Sequence, residues 1–367
     1  MSIKGFQLIK AIEDYAPPRF AMENDRIGLQ VGDPHALVKK VLVTLDVTEA
    51  VVDEAIQQGA NWIIAHHAVI FRPLKEIRTD TAAGRILQKC LAHQLNLYIA
   101  HTNLDIAPNG VNDVLAERLG LAKIKPLFEY HAERLKKLVV FIPESHVEQV
   151  QQAIGQAGAG WIGNYSDCTF QVSGTGTFRP REGANPYIGT SGELERVAEV
   201  RLETIIEESK QQQIIHAMLK AHPYEEVAYD LYPLEQKGRT YGLGRIGELP
   251  AEMTLKQLIE RVKEAYQLKH VRFVGDPQSS VKKVAIVGGA GGRFWQRVQR
   301  CQADVYITGD IDFHTAQDAL AAGLHLIDPG HHIEHIVVDT VCKQLSQRIK
   351  EIEFVASTVD TNPFNFA

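Results

Sequence analysis

The chain has 367 residues, 45% of them hydrophobic and 23% charged, with a formal net charge of -6. That length accommodates about two or three domains, and the acidic balance excludes binding to nucleic acid or anionic membrane by bulk charge. No apolar run reaches the roughly 20 residues of a membrane span, and the N-terminal amphipathic helix, broken by Pro17-Pro18, lacks a signal-peptide core.

In chain order, residues 24–33 read as a glycine-punctuated loop or short strand. Residues 40–46 are apolar and β-branched and predict a buried strand, and Thr48 caps a helix running to Ile56. Trp62–Ala65 is the next strand, ending at His66-His67. A helix over about 82–94 leads to a strand at 97–100, which ends in His101-Thr102-Asn103-Leu104-Asp105. This β-α-β-α-β order implies a mainly parallel sheet covered by helices.

The last third repeats the pattern. Strands are expected at 283–287, 304–308 and 324–327, with helices near 293–301 and 315–322 between them. The second strand ends in Gly309-Asp310 and the third in Asp328-Pro329-Gly330-His331-His332. The fold class is α/β: two related lobes, 1–129 and 238–367, form one discontinuous domain. Both place polar residues just past the carboxyl ends of parallel strands, where open α/β sheets hold ligands. Between them, 130–237 reads as strand 138–142, helix 144–157, strand 168–178, a Gly/Pro loop, strand 195–206, helix 209–221 and strand 226–232. Two β-α-β halves of this size predict an inserted ferredoxin-like α+β domain.

Seven of the fifteen histidines gather after these strands: His66, His67, His101, His314, His331, His332 and His335. Asp105 and Glu334 accompany them, and the i, i+3 spacing puts His331 and Glu334 on one helical face. The four cysteines, Cys90, Cys168, Cys301 and Cys342, are scattered without a C-x-x-C pair. They fit a reducing cytoplasm and argue against thiolate zinc or a disulfide framework. Imidazole with carboxylate suits zinc, iron(II) or manganese, and a shared carboxylate can bridge two ions.

Together, His66-His67, the run from His101 to Asp105, Gly309-Asp310 with His314, and Gly330-His331-x-x-Glu334 resemble the Nif-three-like dinuclear metal-centre proteins, often labelled homologues of a type 2 GTP cyclohydrolase. The central segment, with Gly174-x-Gly176-Thr177-Phe178-Arg179-Pro180 and Gly183-Ala184-Asn185-Pro186-Tyr187-Ile188-Gly189, is similar to the PII- or CutA-like insertion of the long bacterial form. The resemblance implies two divalent metal ions, a toroidal homohexamer and a cytoplasmic location. It also implies His66, His67, Asp105, His331 and Glu334 as metal ligands. Some relatives space the last His and acid by four residues, which leaves His331 and His332 both open as the ligand, His331 preferred.

His101 and His314 are candidate proton carriers or substrate contacts, with Asp310 orienting one of them. The expected activity is metal-assisted hydrolysis of a nucleotide or phosphate-bearing small molecule, with cyclohydrolase chemistry resting on the resemblance alone. The competing expectation is a non-catalytic, ring-shaped regulatory protein whose insertion binds a partner or effector. A nucleic-acid clamp is disfavoured by the absence of a basic stripe.

Three weaker signals complete the reading. Gly242-Leu243-Gly244-Arg245-Ile246-Gly247 fits G-x-G-x-x-G but opens no helix, so it is assigned to a turn or strand. Gly288 to Gly292 follows a strand and either holds a phosphate on its amides or packs strand against helix. Trp62, Trp161 and Trp295 are expected in the core, and His222-Pro223-Tyr224-Glu225-Glu226 at a helix-to-strand turn.

Overall fold

The computed structural model describes residues 2–365. The chain divides into two compact units, one built from residues up to His131 and from Tyr241 onward, the other from Ala132–Thr240.

The first unit opens with α1 (Gly5–Tyr15), β1 (Gly28–Val31), β2 (Lys40–Thr44), α2 (Glu49–Gln57), β3 (Trp62–Ala65), α3 (Ala82–Ala92), β4 (Asn96–Ile99), α4 (Thr102–Ile106) and α5 (Val111–Arg118). The long strand β5 (Ala122–Pro143) leads into the second unit, which holds α6 (Val147–Gln156), β6 (Thr169–Phe178), β7 (Glu195–Glu207) and α7 (Gln211–Ala221). A second long strand, β8 (Tyr229–Thr254), leads back. Then follow α8 (Leu255–Ala265), β9 (Arg272–Val274), β10 (Ser280–Ile286), α9 (Trp295–Arg300), β11 (Val305–Ile307), α10 (Phe313–Ala321), β12 (His325–Asp328), α11 (Val337–Arg348) and β13 (Glu353–Ala356).

One sheet of the first unit has the order β1-β4-β3-β2-β13, parallel from β4 to β13 with β1 antiparallel at the edge. Its strands alternate between two apolar faces. Leu42, Ile63 and Leu97 pack with Val51 and Val52 of α2 and with Ile86 and Leu87 of α3. Val41, Trp62, Ile64 and Tyr98 join the cluster of Leu8, Ile12 and Val341 from α1 and α11. Burial on both faces explains the unbroken apolar runs of these strands, and each such Leu or Ile contributes about 1.5–3 kcal/mol. Thr48 caps α2 as expected, accepting from Val51 N.

The other sheet of this unit runs β5-β8-β10-β11-β12-β9, with β10, β11 and β12 parallel. In the second unit the chain order is β-α-β-β-α-β and the strands lie in the order β6-β7-β5-β8. Leu138, Val140, Leu202 and Ile206 of its strands pack against Val150 and Ile154 of α6 and against Ile214 and Met218 of α7.

Within the His101–Asp105 run, Thr102–Ile106 forms one helical turn. Residues 242–247 lie inside β8, the strand alternative of the turn-or-strand assignment. Trp62 is fully buried, but Trp161 is 54% exposed and lies outside the core. No helix among the described residues is long and apolar enough to cross a membrane.

Candidate metal centre

The ends of β3 and β4, the turn after β12 and the glycine loop after β10 converge in the first unit. His66 follows β3; its backbone N–H donates to Thr44 O and Leu45 O, and the ring is 3% exposed. Its Nδ1 pairs with Ala100 O at 2.9 Å. Nδ1 therefore carries the proton, and Nε2 offers a lone pair 3.7 Å from Asp105 Oδ1 and 3.8 Å from Glu334 Oε2. Burial drives the His66 pKa down to about 3, so the imidazole is neutral.

His67 faces the other way around the same carboxylate. Its Nδ1 lies 2.7 Å from Asp46 Oδ1 and its Nε2 3.2 Å from Glu334 Oε2. Burial alone would lower its pKa, but Asp46 and Glu334 outweigh burial and raise it to about 10. His331 repeats the arrangement, with Nδ1 2.7 Å from Asp310 Oδ2 and Nε2 3.3 Å from Glu334 Oε2. The bond to Glu334 raises His331 to about 9.

Glu334 is 3% exposed. Burial opposes its ionisation, yet hydrogen bonds from His331 and His67 hold it well below the usual carboxylate range. The glycine loop makes room for it: a Cβ at Gly289, where φ is +60°, would stand 2.7 Å from Glu334 Oε1. Gly288 N donates to Asn112 Oδ1 and Gly291 N to Thr308 Oγ1. These two amides are taken by packing partners, in keeping with the packing alternative for this loop.

Asp105, on α4, is also buried, and burial together with the Glu334 charge raises it to about 8. Its Oδ1 has no hydrogen-bond donor among the described residues. An orphaned buried carboxylate oxygen beside a neutral imidazole lone pair is the donor set a cation satisfies. Three sets of donor atoms lie mutually within 4.8 Å: His66 with Asp105 and Glu334, His67 with His331 and Glu334, and His66 with His67 and His101. The first two share Glu334, so the carboxylate stands where it could belong to two ions at once.

The structure thus gathers His66, His67, Asp105, His331 and Glu334, and brings His101 beside them with its ring 5.1 Å from that of His66. Asp310 contacts the cluster through His331. His314 does not join it: the residue is exposed on the first turn of α10, its ring against Phe313. His332 turns to Thr361 Oγ1, at 3.3 Å, and stacks on His335. Sequence reasoning missed Asp46, Asp25 and Thr361. Asp25 accepts from Thr102 N at 3.0 Å and holds His101 Nδ1 at 2.8 Å. Thr361 Oγ1 donates to Asp46 Oδ2 at 2.5 Å. Asp46 was findable, because it follows β2 as His66 follows β3. A cleft of about 600 Å³ opens beside His67 and His331, lined also by Asp310 and by Thr361, Pro363 and Phe364.

Residues 3–363 match the family described as Duf34/NIF3 (NGG1p interacting factor 3). The chain is 49% identical to a Bacillus subtilis protein named GTP cyclohydrolase 1 type 2 homolog, over 100% of this chain and 99% of that one. A Listeria innocua protein of the same name is 43% identical over 99% and 98% of the two chains. Among solved structures, a Bacillus cereus protein related to NIF3 superposes with a TM-score of 0.93 at 50% identity, covering 100% of this chain and 99% of its own. With the match spanning nearly every residue, the chain belongs to the Duf34/NIF3 family.

Proposed function

We propose that the protein binds two divalent cations, zinc, iron or manganese, and hydrolyses a nucleotide or other phosphate-bearing small molecule. The observation that carries this reading is Glu334 Oε2, within 3.2, 3.3 and 3.8 Å of the Nε2 atoms of His67, His331 and His66, beside Asp105 Oδ1, which has no hydrogen-bond partner among the described residues. His66, Asp105 and Glu334 would hold one ion, and His67, His331 and Glu334 the other. When bound, such a pair polarises the scissile group and lowers the pKa of water.

The remaining residues orient groups and move protons. Ala100 O, Asp46 and Asp310 fix the rings of His66, His67 and His331 through Nδ1, leaving each Nε2 aimed inward. His101 is raised above the ordinary histidine range: burial would lower it, but Asp25 and Asp105 outweigh that. It can therefore hold a proton on Nε2 for the leaving group. Arg26 and Arg72 line a recess together with Asp25 and suit a phosphate. His314 is a peripheral substrate contact in this reading.

The same reading includes a ferredoxin-like second unit, supported by its β-α-β-β-α-β order and its strand order. It also includes a toroidal homohexamer and a cytoplasmic location, the latter supported by four free cysteines.

The test is elemental analysis of the purified protein, with turnover of a nucleotide and phosphoester panel by wild type and by a variant carrying His66→Ala and His67→Ala. Stoichiometric metal and activity, both lost in the variant, are expected. Protein without stoichiometric metal overturns the metal centre. Full occupancy with no turnover across the panel overturns the hydrolase in favour of a regulatory metal protein.

A further inference from the structure

In the second unit, the run His222-Pro223-Tyr224-Glu225-Glu226 between α7 and β8 has no part in the metal centre. Buried His222 pairs its Nε2 with Phe141 O at 3.0 Å, and its Nδ1 accepts from Tyr224 N at 3.1 Å. The imidazole thereby fixes the turn and aims Tyr224 at β7, where its phenol donates to Glu199 Oε1 at 2.9 Å. Burial and the Glu199 carboxylate push the Tyr224 phenol above its ordinary range, so it remains a donor.

Glu199 is 9% exposed, and no hydrogen bond to its Oε2 is made among the described residues. Gly176 on the neighbouring strand makes the carboxylate's position possible, since a Cβ there would stand 1.9 Å from Oε2. The carboxylate opens on a cleft of about 370 Å³, within the range of small-ligand sites. Phe178, Tyr187 and Tyr224 wall it; the first two rings lie 5.8 and 6.4 Å from the third, tilted by 60° and 49° rather than stacked. Arg181, on the rim, is exposed, and its guanidinium has no partner among the described residues.

A buried carboxylate among aromatic faces selects a cationic nitrogen. A guanidinium lining the same cleft selects one carboxylate. We propose that this cleft binds an α-amino acid with an aromatic or large apolar side chain, its ammonium on Glu199 among the rings and its carboxylate on Arg181. A nucleotide fits the cleft less well. Glu199, Glu225 and Glu226 outnumber the two lining arginines, and Arg179 already donates to Gly192 O. The Asn185 amide, which could have served a phosphate, is taken by Glu225. The site is independent of the metal reading.

The test is calorimetric titration of the full chain with L-phenylalanine, phenethylamine, 3-phenylpropionate and ATP. L-Phenylalanine binds more tightly than either truncated analogue and than ATP. Glu199→Gln weakens L-phenylalanine and phenethylamine at least about tenfold, as expected for loss of a charged hydrogen bond. Arg181→Ala weakens L-phenylalanine by a similar factor and leaves phenethylamine unchanged; this residue is exposed, so the variant folds. The proposal fails if L-phenylalanine gives no saturable binding at millimolar concentration, if ATP binds in its place, or if Arg181→Ala leaves the amino acid's affinity intact.

Discussion

His67 Nε2 lies 3.2 Å from Glu334 Oε2 across 267 residues of sequence. That contact joins the strand-end histidines of the first lobe to the turn that follows β12, and Glu334 is the carboxylate common to two of the donor sets. Glu334→Gln keeps the volume and removes the charge. The variant should carry at most one ion per chain, measured by elemental analysis. The His67 imidazole, raised to about 10 by Asp46 and Glu334 together, and that of His331, raised to about 9 chiefly by Glu334, should both titrate lower in the metal-free variant, His331 by more, measured by NMR. Unchanged stoichiometry would remove Glu334 from the bridging role.

Thr361 acts on the centre at one remove. Its hydroxyl donates to Asp46 Oδ2 while Asp46 Oδ1 orients His67. Thr361→Val should weaken metal affinity about tenfold or more, read by chelator competition, without changing stoichiometry. Thr361→Ser restores the donor and should restore the affinity.

The segment carrying Thr361 is fastened upstream by Glu54. Ser357 Oγ donates to Glu54 Oε2 at 2.5 Å, and Thr358 N and Oγ1 donate to Oε1 at 2.8 and 2.6 Å. Burial would raise Glu54, but these donors lower it below its ordinary 4.5. The sign follows: the clasp's stabilisation is complete above 4.5 and is lost as pH falls through the depressed folded value. The Thr358 amide resonance should report this release on acidification, and Glu54→Ala should cost about 2 kcal/mol at neutral pH.

Asp25 holds His101 through Nδ1 and is itself kept below the carboxylate range; burial opposes this, but bonds from His101 and Thr102 prevail. Asp25→Asn should leave metal content intact and reduce turnover about 100-fold, the scale of one positioned proton carrier. A variant with wild-type turnover would exclude His101 from proton transfer.

How much of this was legible in the chain depends on the range of the forces involved. His66-His67 after a four-residue apolar strand, and His331 with Glu334 three residues on, could be read locally, because strand ends and helical spacing are short-range patterns. Helix α4 could not, since a five-residue turn has no periodicity to detect. It is held by distant partners, Asp25 on Thr102 N and Ala16 O accepting from Asn103 Nδ2. The strand expected to start at 138 begins at Ala122, because pairing rather than its lysine- and glutamate-bearing sequence sustains it. Trp161 misled for a related reason: apolar neighbours in sequence, such as Ile162, are themselves exposed.

Asn112 supplies the last prediction. Fully buried on α5, it donates from Nδ2 to Asp105 O at 3.0 Å and accepts at Oδ1 from Gly288 N at 2.9 Å. One amide thus ties the turn bearing Asp105 to the glycine loop that shapes the space for Glu334. Asn112→Ala would strand a carbonyl and an N–H in the interior, each worth about 1–3 kcal/mol, so stability should fall by roughly 2–5 kcal/mol in denaturant unfolding of metal-free protein. Asn112→Asp keeps the acceptor for Gly288 but loses the donor to Asp105 O and adds a buried charge, so it should rescue neither stability nor metal affinity. If Asn112→Ala loses stability yet binds both ions with wild-type affinity, the two carboxylates do not depend on this tie for their spacing. If affinity falls with stability, the geometry of the centre is set from beneath by a residue that touches no ligand atom.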